Sequence, residues 1–382
     1  MRGIRIFFIF FFCTVSAAFA APEITQVAGT LQHGESITIS GSGFGEKATA
    51  APIRWDTFES GTPEQNIGTS EFWSTVNGFL YSDEATQRTG LSDQFIRIPA
   101  ESGVVSGDSH AHISQWSTSK KKLLVGWYRV DFISAGSGQI KLMNIERAAS
   151  HATAPGIAEH AFWCYNNTCV GGTTNQLGTG NGNVAYWYQG PTLVVLQQFT
   201  FNVYYDGEWQ YFMIEYEESD YNVANGQARL YKSSTAPTKT AIERLTSINK
   251  LSQSSDGSVA EYAKLRAITA SDTVRANVYY DDIYIDNTWQ RVEIGDNATY
   301  ANCTHREMQI PTAWDGVSGT NSISITVNRG AFGSTDSAYL YVVDADGTVN
   351  ETGYAITFGD TGETPTISAP SGFRAVGGTE WR

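Results

Sequence analysis

Apolar and polar residues alternate with period two along most of the chain, and Gly, Asn-Gly or Asp-Gly interrupts the alternation at short intervals. Residues 36–40 read SITIS, 123–133 LLVGWYRVDFI, 209–217 WQYFMIEYE and 278–286 VYYDDIYID. Further strands are predicted at 24–27, 139–146, 192–205, 228–232, 323–327 and 338–343. A helical period is not sustained outside a short turn near 236–251. Strands at this density, joined by Gly-rich turns, predict an all-β fold of antiparallel sandwiches and not an α/β layer arrangement.

Period two also sorts side chains between faces. In 209–217 one face carries Trp209, Tyr211, Met213, Glu215 and Glu217. In 126–132 Trp127, Arg129 and Asp131 share a face; in 109–116 His110, His112, Ser114 and Trp116 do. Aligned in one sheet, such faces would form a groove of rings and hydrogen-bonding groups. Sugars suit that surface, because their C–H faces stack on aromatic rings and their hydroxyls need donors and acceptors. A solvated sheet face shows the same alternation.

Charge narrows the partners. Lys and Arg number 25 and Asp and Glu 39, so the formal net charge is −14. Nucleic-acid affinity comes mostly from neutralising phosphates with Lys and Arg, so nucleic acid is excluded as a default partner. Residues 1–20 carry Arg2 and Arg5, then an apolar run, then small residues ending Ala18-Phe19-Ala20. That is the pattern of a cleaved secretory signal cut after Ala20, giving a secreted, periplasmic or cell-surface protein with no integral membrane segment in the mature chain. In an oxidising compartment Cys164 and Cys169 are expected to close a small disulfide loop, with Cys303 left over.

Residues 22–47, PEITQVAGTLQHGESITISGSGFGEK, resemble the opening of an IPT/TIG domain, an immunoglobulin-like fold. The closing strands of that pattern come only after residue 290, in RVEIG, SISITVNRGAF and AYLYVVDADGTVNETGYAITFG. The resemblance implies a discontinuous immunoglobulin-like β-sandwich, 21–52 plus 290–360, split by an inserted antiparallel jelly-roll sandwich over 53–289. The inserted part loosely resembles the concanavalin A-like lectin/glucanase superfamily, through WQYFMIEYE, the Asn225-Gly226 turn before ARLYK, and YDDIYID. Residues 361–382, rich in Thr, Pro, Ser and Gly, read as a flexible tail.

The ring-bearing strand faces predict a carbohydrate-binding or surface-adhesion protein with a glycan partner, contacted through Trp116, Trp127, Arg129, Trp209, Tyr211 and Glu215. Glucan hydrolases of that superfamily carry E-x-D-x-E on one strand; here Glu215 and Glu217 share a face but the central Asp is missing. A polysaccharide lyase would draw on His110, His112, Arg129, Lys141 and Tyr211, and is placed before a glycoside hydrolase as the enzymatic alternative. The Q-I-H and Y-F-K-x-G pairing common in alginate lyases is absent, with His110-Ala-His112-Ile only an echo. A non-catalytic surface or filament component is the third reading. No cofactor is expected, although Asp281, Asp282 and Asp286 invite a structural Ca2+, as does the Asp344–Gly347 turn, which also reads as a plain hairpin.

Overall fold

A computed structural model describes residues 20–68, 73, 75–76, 78–83, 87–91, 94–98, 110–114, 119–134, 140–146, 162–164, 182–189, 192–198, 207–218, 220, 223, 225–233, 242–250, 262–269, 275–316 and 321–359. The signal segment, Trp116, Cys169 and the tail lie outside the described residues. Those described are all-β apart from one 3-10 turn, Tyr300–Asn302. The strands are β1 (Glu23–Gly29), β2 (Ser36–Ser42), β3 (Arg54–Asp56), β4 (Thr75–Val76), β5 (Leu80–Ser82), β6 (Phe95–Ile98), β7 (His110–Ser114) and β8 (Lys121–Ser134). Next come β9 (Ile140–Glu146), β10 (Phe162–Cys164), β11 (Gly182–Gln189), β12 (Thr192–Gln198), β13 (Gln210–Glu217), β14 (Gly226–Ser233), β15 (Ile242–Lys250) and β16 (Tyr262–Thr269). The last are β17 (Arg275–Asp286), β18 (Arg291–Gly295), β19 (Arg306–Met308), β20 (Ile310–Asp315), β21 (Asn321–Thr326), β22 (Ser337–Val343) and β23 (Tyr354–Thr357).

Two four-stranded sheets, β1-β2-β21-β20 and β19-β18-β22-β23, form a small sandwich from the two ends of the described chain. The alternation of SITIS sends Ile37 and Ile39 inward, opposite Ile325 and Ile323 of β21. They share a core with Phe44, Val292, Ile294, Leu340 and Val342. Gly41 lies where β1 crosses: a Cβ there would sit 1.9 Å from the Glu23 carbonyl oxygen, so no larger residue fits.

Between these ends lies a large sandwich. One sheet of eight strands runs β15-β14-β13-β8-β17-β6-β5, with β3 also paired to β17; the other, of seven, runs β12-β11-β10-β9-β16-β7-β4. Leu124, Tyr128, Val130, Phe212 and Ile214 from the first sheet, and Met143, Ile145, Ala263 and Leu265 from the second, are buried. The Tyr280 hydroxyl donates across to the Leu142 carbonyl at 2.5 Å. β3 pairs with β17, Arg54 opposite Ile285, so the chain passes into and out of the large sandwich side by side. No helix among the described residues is long and apolar enough to cross a membrane.

Two strands break the expected alternation of buried and exposed positions. All five residues of β18 are buried, and so are the first seven of β13. β18 turns Val292 and Ile294 into the small core, and its other face meets the outer face of the eight-stranded sheet. There Leu123, Val125, Trp127, Tyr211, Met213 and Tyr284 pack with Trp289 and Met308. Each such large apolar side chain contributes about 1.5–3 kcal/mol on burial, so the contact holds the two sandwiches firmly together.

Candidate functional site

The ring-bearing face expected to take a glycan is divided by this junction. Trp127 is 7% exposed and Tyr211 1%. The Trp127 indole has the Arg88 guanidinium 4.8 Å from its centroid and the His305 ring 5.1 Å away, so no surface remains for a sugar to stack on. Glu215, 1% exposed, is held by Arg291 Nη1 at 2.8 Å, Arg229 Nη1 at 3.3 Å and the Tyr231 hydroxyl at 3.3 Å. Tyr211 donates to the Met213 sulfur at 3.6 Å, and burial followed by the Glu293 carboxylate pushes its pKa well above the usual phenol value. A phenol so placed serves neither as a base nor as a sugar contact. Trp127, Tyr211 and Glu215 are therefore corrected from ligand contacts to junction residues. Glu217, at the end of β13, is half-buried opposite Lys121, and Glu215 and Glu217 do not form an accessible carboxylate pair.

The reason is electrostatic as well as apolar. Arg291 bonds Glu293 through Nε and reaches Glu215 through Nη1; Arg306 Nη1 lies 3.1 Å from Glu293 Oε2, and the Tyr300 hydroxyl donates to the same oxygen at 3.1 Å. Buried charges persist only when paired in this way. Beside them Arg88 contacts Asp282, lies 3.5 Å from Asp281 Oδ2 and bonds Glu307 Oε1 at 2.7 Å. The proposed calcium ligands are thus tied to cations: Asp281 and Asp282 to Arg88, and Asp286 to Lys47 at 2.7 Å. Among the described residues no group of three or more His, Cys, Asp or Glu is arranged to hold a metal ion. The Asp344 carboxylate accepts the backbone N–H groups of Asp346 and Thr348, and Gly347 takes φ 79°, which is hairpin-turn chemistry.

Beyond the junction the same sheet keeps Arg129 and Trp209 partly exposed. Arg129 forms two bonds to Asp131, at 2.7 and 3.1 Å, and its guanidinium lies 6.0 Å from the Tyr279 ring centroid. Trp209 packs edge-on against Phe95 at 5.6 Å. Cys303 is a buried free thiol, and the Cys164–Cys169 pairing falls outside the described side chains.

The seven-stranded sheet carries a different constellation, fixed by register. In antiparallel neighbours, residues directly opposite share a face. Lys264 of β16 stands between His112 of β7 and Asn144 of β9, with Thr75 of β4 beyond His112. In the flanking rows Arg266 is opposite His110, and Tyr262 lies between Ser114 and Glu146. In the intervening rows Ala263 and Ile145, and Leu265 and Met143, are paired and buried. The register thus brings two His, a Lys, an Arg, an Asn, a Tyr and a Glu to neighbouring positions of the sheet, and Lys264 is 1% exposed. Lys141 sits apart, opposite Trp163 and Ile268.

Lys264, Arg266, Asn144 and Tyr262 were not among the expected residues. The signal was present in YAKLRAIT, where Tyr, Lys and Arg alternate with Ala and Leu. What the sequence lacked was the pairing of β16 with β7, which are separated along the chain by β8 to β15 yet adjacent in the sheet.

No protein-family model matches the chain. No curated protein matches it in sequence. Among solved structures it is similar to alginate lyase Aly36B (13% identity, TM-score 0.43, covering 63% of this chain and 98% of that one). It is also similar to the marine PL-14 alginate lyase from Aplysia kurodai (12% identity, TM-score 0.37, 55% and 86% covered). A third is the cellulose induced protein Cip1 (12% identity, TM-score 0.37, 62% and 97% covered).

Proposed function

We propose that the chain is an exported glycan-recognising protein whose ligand is an acidic polysaccharide lying across β7, β16 and β9. The observation that carries this reading is the register that sets Lys264 between His112 and Asn144 and Arg266 opposite His110. A net charge of −14 disfavours an anionic ligand elsewhere on the molecule, but Lys264, Arg266, His110 and His112, at neighbouring register positions, are the residue types that uronate carboxylates require. The small sandwich is, in this reading, an IPT/TIG-type module that covers the back of the large one.

The test is a binding titration with a uronate oligosaccharide and with its carboxyl-reduced, neutral counterpart. The acidic form is expected to bind, and Lys264→Ala and Arg266→Ala each to weaken it about tenfold or more. Equal affinity for both oligosaccharides, or full retention by both variants, overturns the reading. Trp127→Ala, in contrast, is expected to shift the unfolding midpoint and leave the preference for the acidic form unchanged.

The same rows support a second reading, a lyase. β-Elimination needs a cation or amide against the uronate carboxylate, a base for the proton beside it and an acid for the departing oxygen. Lys264, Arg266 and Asn144 are of the first type, His112 of the second and Tyr262 of the third. The product would show the ultraviolet absorbance of an unsaturated uronate, and His112→Ala would remove it while binding persists.

A further inference from the structure

Where the chain crosses from the small sandwich to the large one, Lys47 and Asp286 face each other. Lys47 Nζ lies 2.7 Å from Asp286 Oδ2, and each side chain is 2% exposed. Nζ also donates to the Ala50 carbonyl at 2.7 Å, and the Trp314 ring centroid is 5.5 Å from it. The two carboxylate oxygens are held differently. Oδ1 accepts the backbone N–H of Asn287 at 2.7 Å, and Oδ2 accepts the Tyr284 hydroxyl at 3.3 Å as well as Lys47. Burial lowers the pKa of Lys47, opposed by Asp286, and raises that of Asp286, opposed by Lys47. Dry surroundings favour a neutral amine beside a neutral acid.

We propose that Lys47 and Asp286 condense to an intramolecular amide that joins the two sandwiches covalently. A proton passes from Nζ to Oδ2 along the existing hydrogen bond. The freed lone pair of Nζ adds to Cγ, and the carbonyl electron pair moves onto Oδ1, where the Asn287 N–H stabilises it. As the carbonyl re-forms, the Cγ–Oδ2 bond breaks, and Oδ2 leaves as water with a second proton from Nζ. One proton stays on the amide nitrogen, so the balance is amine plus acid giving amide plus water, with no oxidant or reductant. Tyr284, whose pKa burial drives well above the usual phenol value, keeps its proton and holds the departing oxygen. The fold supplies the proximity that a bimolecular condensation lacks.

Peptide mapping of the purified full chain decides it. Trypsin is expected not to cut after Lys47, and the segments bearing Lys47 and Asp286 should appear as one branched peptide, lighter than their sum by one water. Lys47→Arg keeps an ion pair but cannot form this amide, and its two segments should appear separately at their sequence masses. Separate segments in the folded wild-type chain, with cleavage after Lys47, overturn the proposal. The wild-type digest is decisive even where Asp286→Ala fails to fold.

Discussion

Arg291→Met is expected to cost about 3–5 kcal/mol of stability, read as a fall in the denaturant midpoint, although it keeps most of the side-chain volume. Arg291 is 2% exposed and touches two carboxylates that are themselves 1% and 0% exposed, Glu215 and Glu293. Removing the guanidinium leaves both short of a partner in a site that water does not reach. Arg229 still reaches Glu215 and Arg306 still reaches Glu293, which holds the loss below that of two isolated buried charges. Arg291 also donates to the Trp289 carbonyl at 2.9 Å, so Trp289 is disturbed as well. A double variant, Arg291→Met with Glu215→Gln, should recover part of the loss. An Arg291→Met midpoint equal to that of the wild type would show that the junction does not depend on this network.

Acid should loosen the same junction. Burial alone would raise the Glu307 pKa, but Arg88 and His305 outweigh it and bring the carboxyl down to about 2. Glu293 is also lowered: burial opposes, and Arg306 and Arg291 prevail. A carboxylate depressed in the folded state contributes stability that is fully present above its unfolded pKa. That contribution is lost as pH falls through the folded value. For Glu307 the window runs from about 4.5 down to about 2. The loss there is roughly 3 kcal/mol, at about 1.4 kcal/mol per unit of pKa. Asp56, raised by burial, works in the opposite direction and is relieved on acidification. Glu307→Gln separates the two effects. It should be less stable than the wild type at neutral pH, and its stability should change less across that window. Parallel acid limbs for both proteins would remove Glu307 from the account.

The all-β class is legible in the sequence because a period of two survives in SITIS and SISIT, and both segments form strands that pair. The faces of WQYFMIEYE are sorted correctly by the same rule: Tyr211, Met213 and Glu215 share a side. What that side meets is not legible. Tyr, Met and Glu alternating with Phe, Ile and Tyr read as a solvated face over a core, and only the approach of RVEIG supplies the Arg that makes a buried Glu215 tolerable. Polar residues at a dry contact between domains have the same composition as polar residues in water. The row through Lys264 was missed for a related reason: its members come from β7, β9 and β16, and the order of strands in a sheet is not written in any one of them.

The pairing of β3 with β17 means that the large sandwich is attached to the small one at two neighbouring points. In topology the arrangement is modular, since any sandwich whose first and last strands run side by side could be spliced there. In chemistry it is not. A substituted guest would have to present a carboxylate to Arg291, as Glu215 does, and a cation to Glu307, as Arg88 does, so host and guest are interchangeable only as a matched pair.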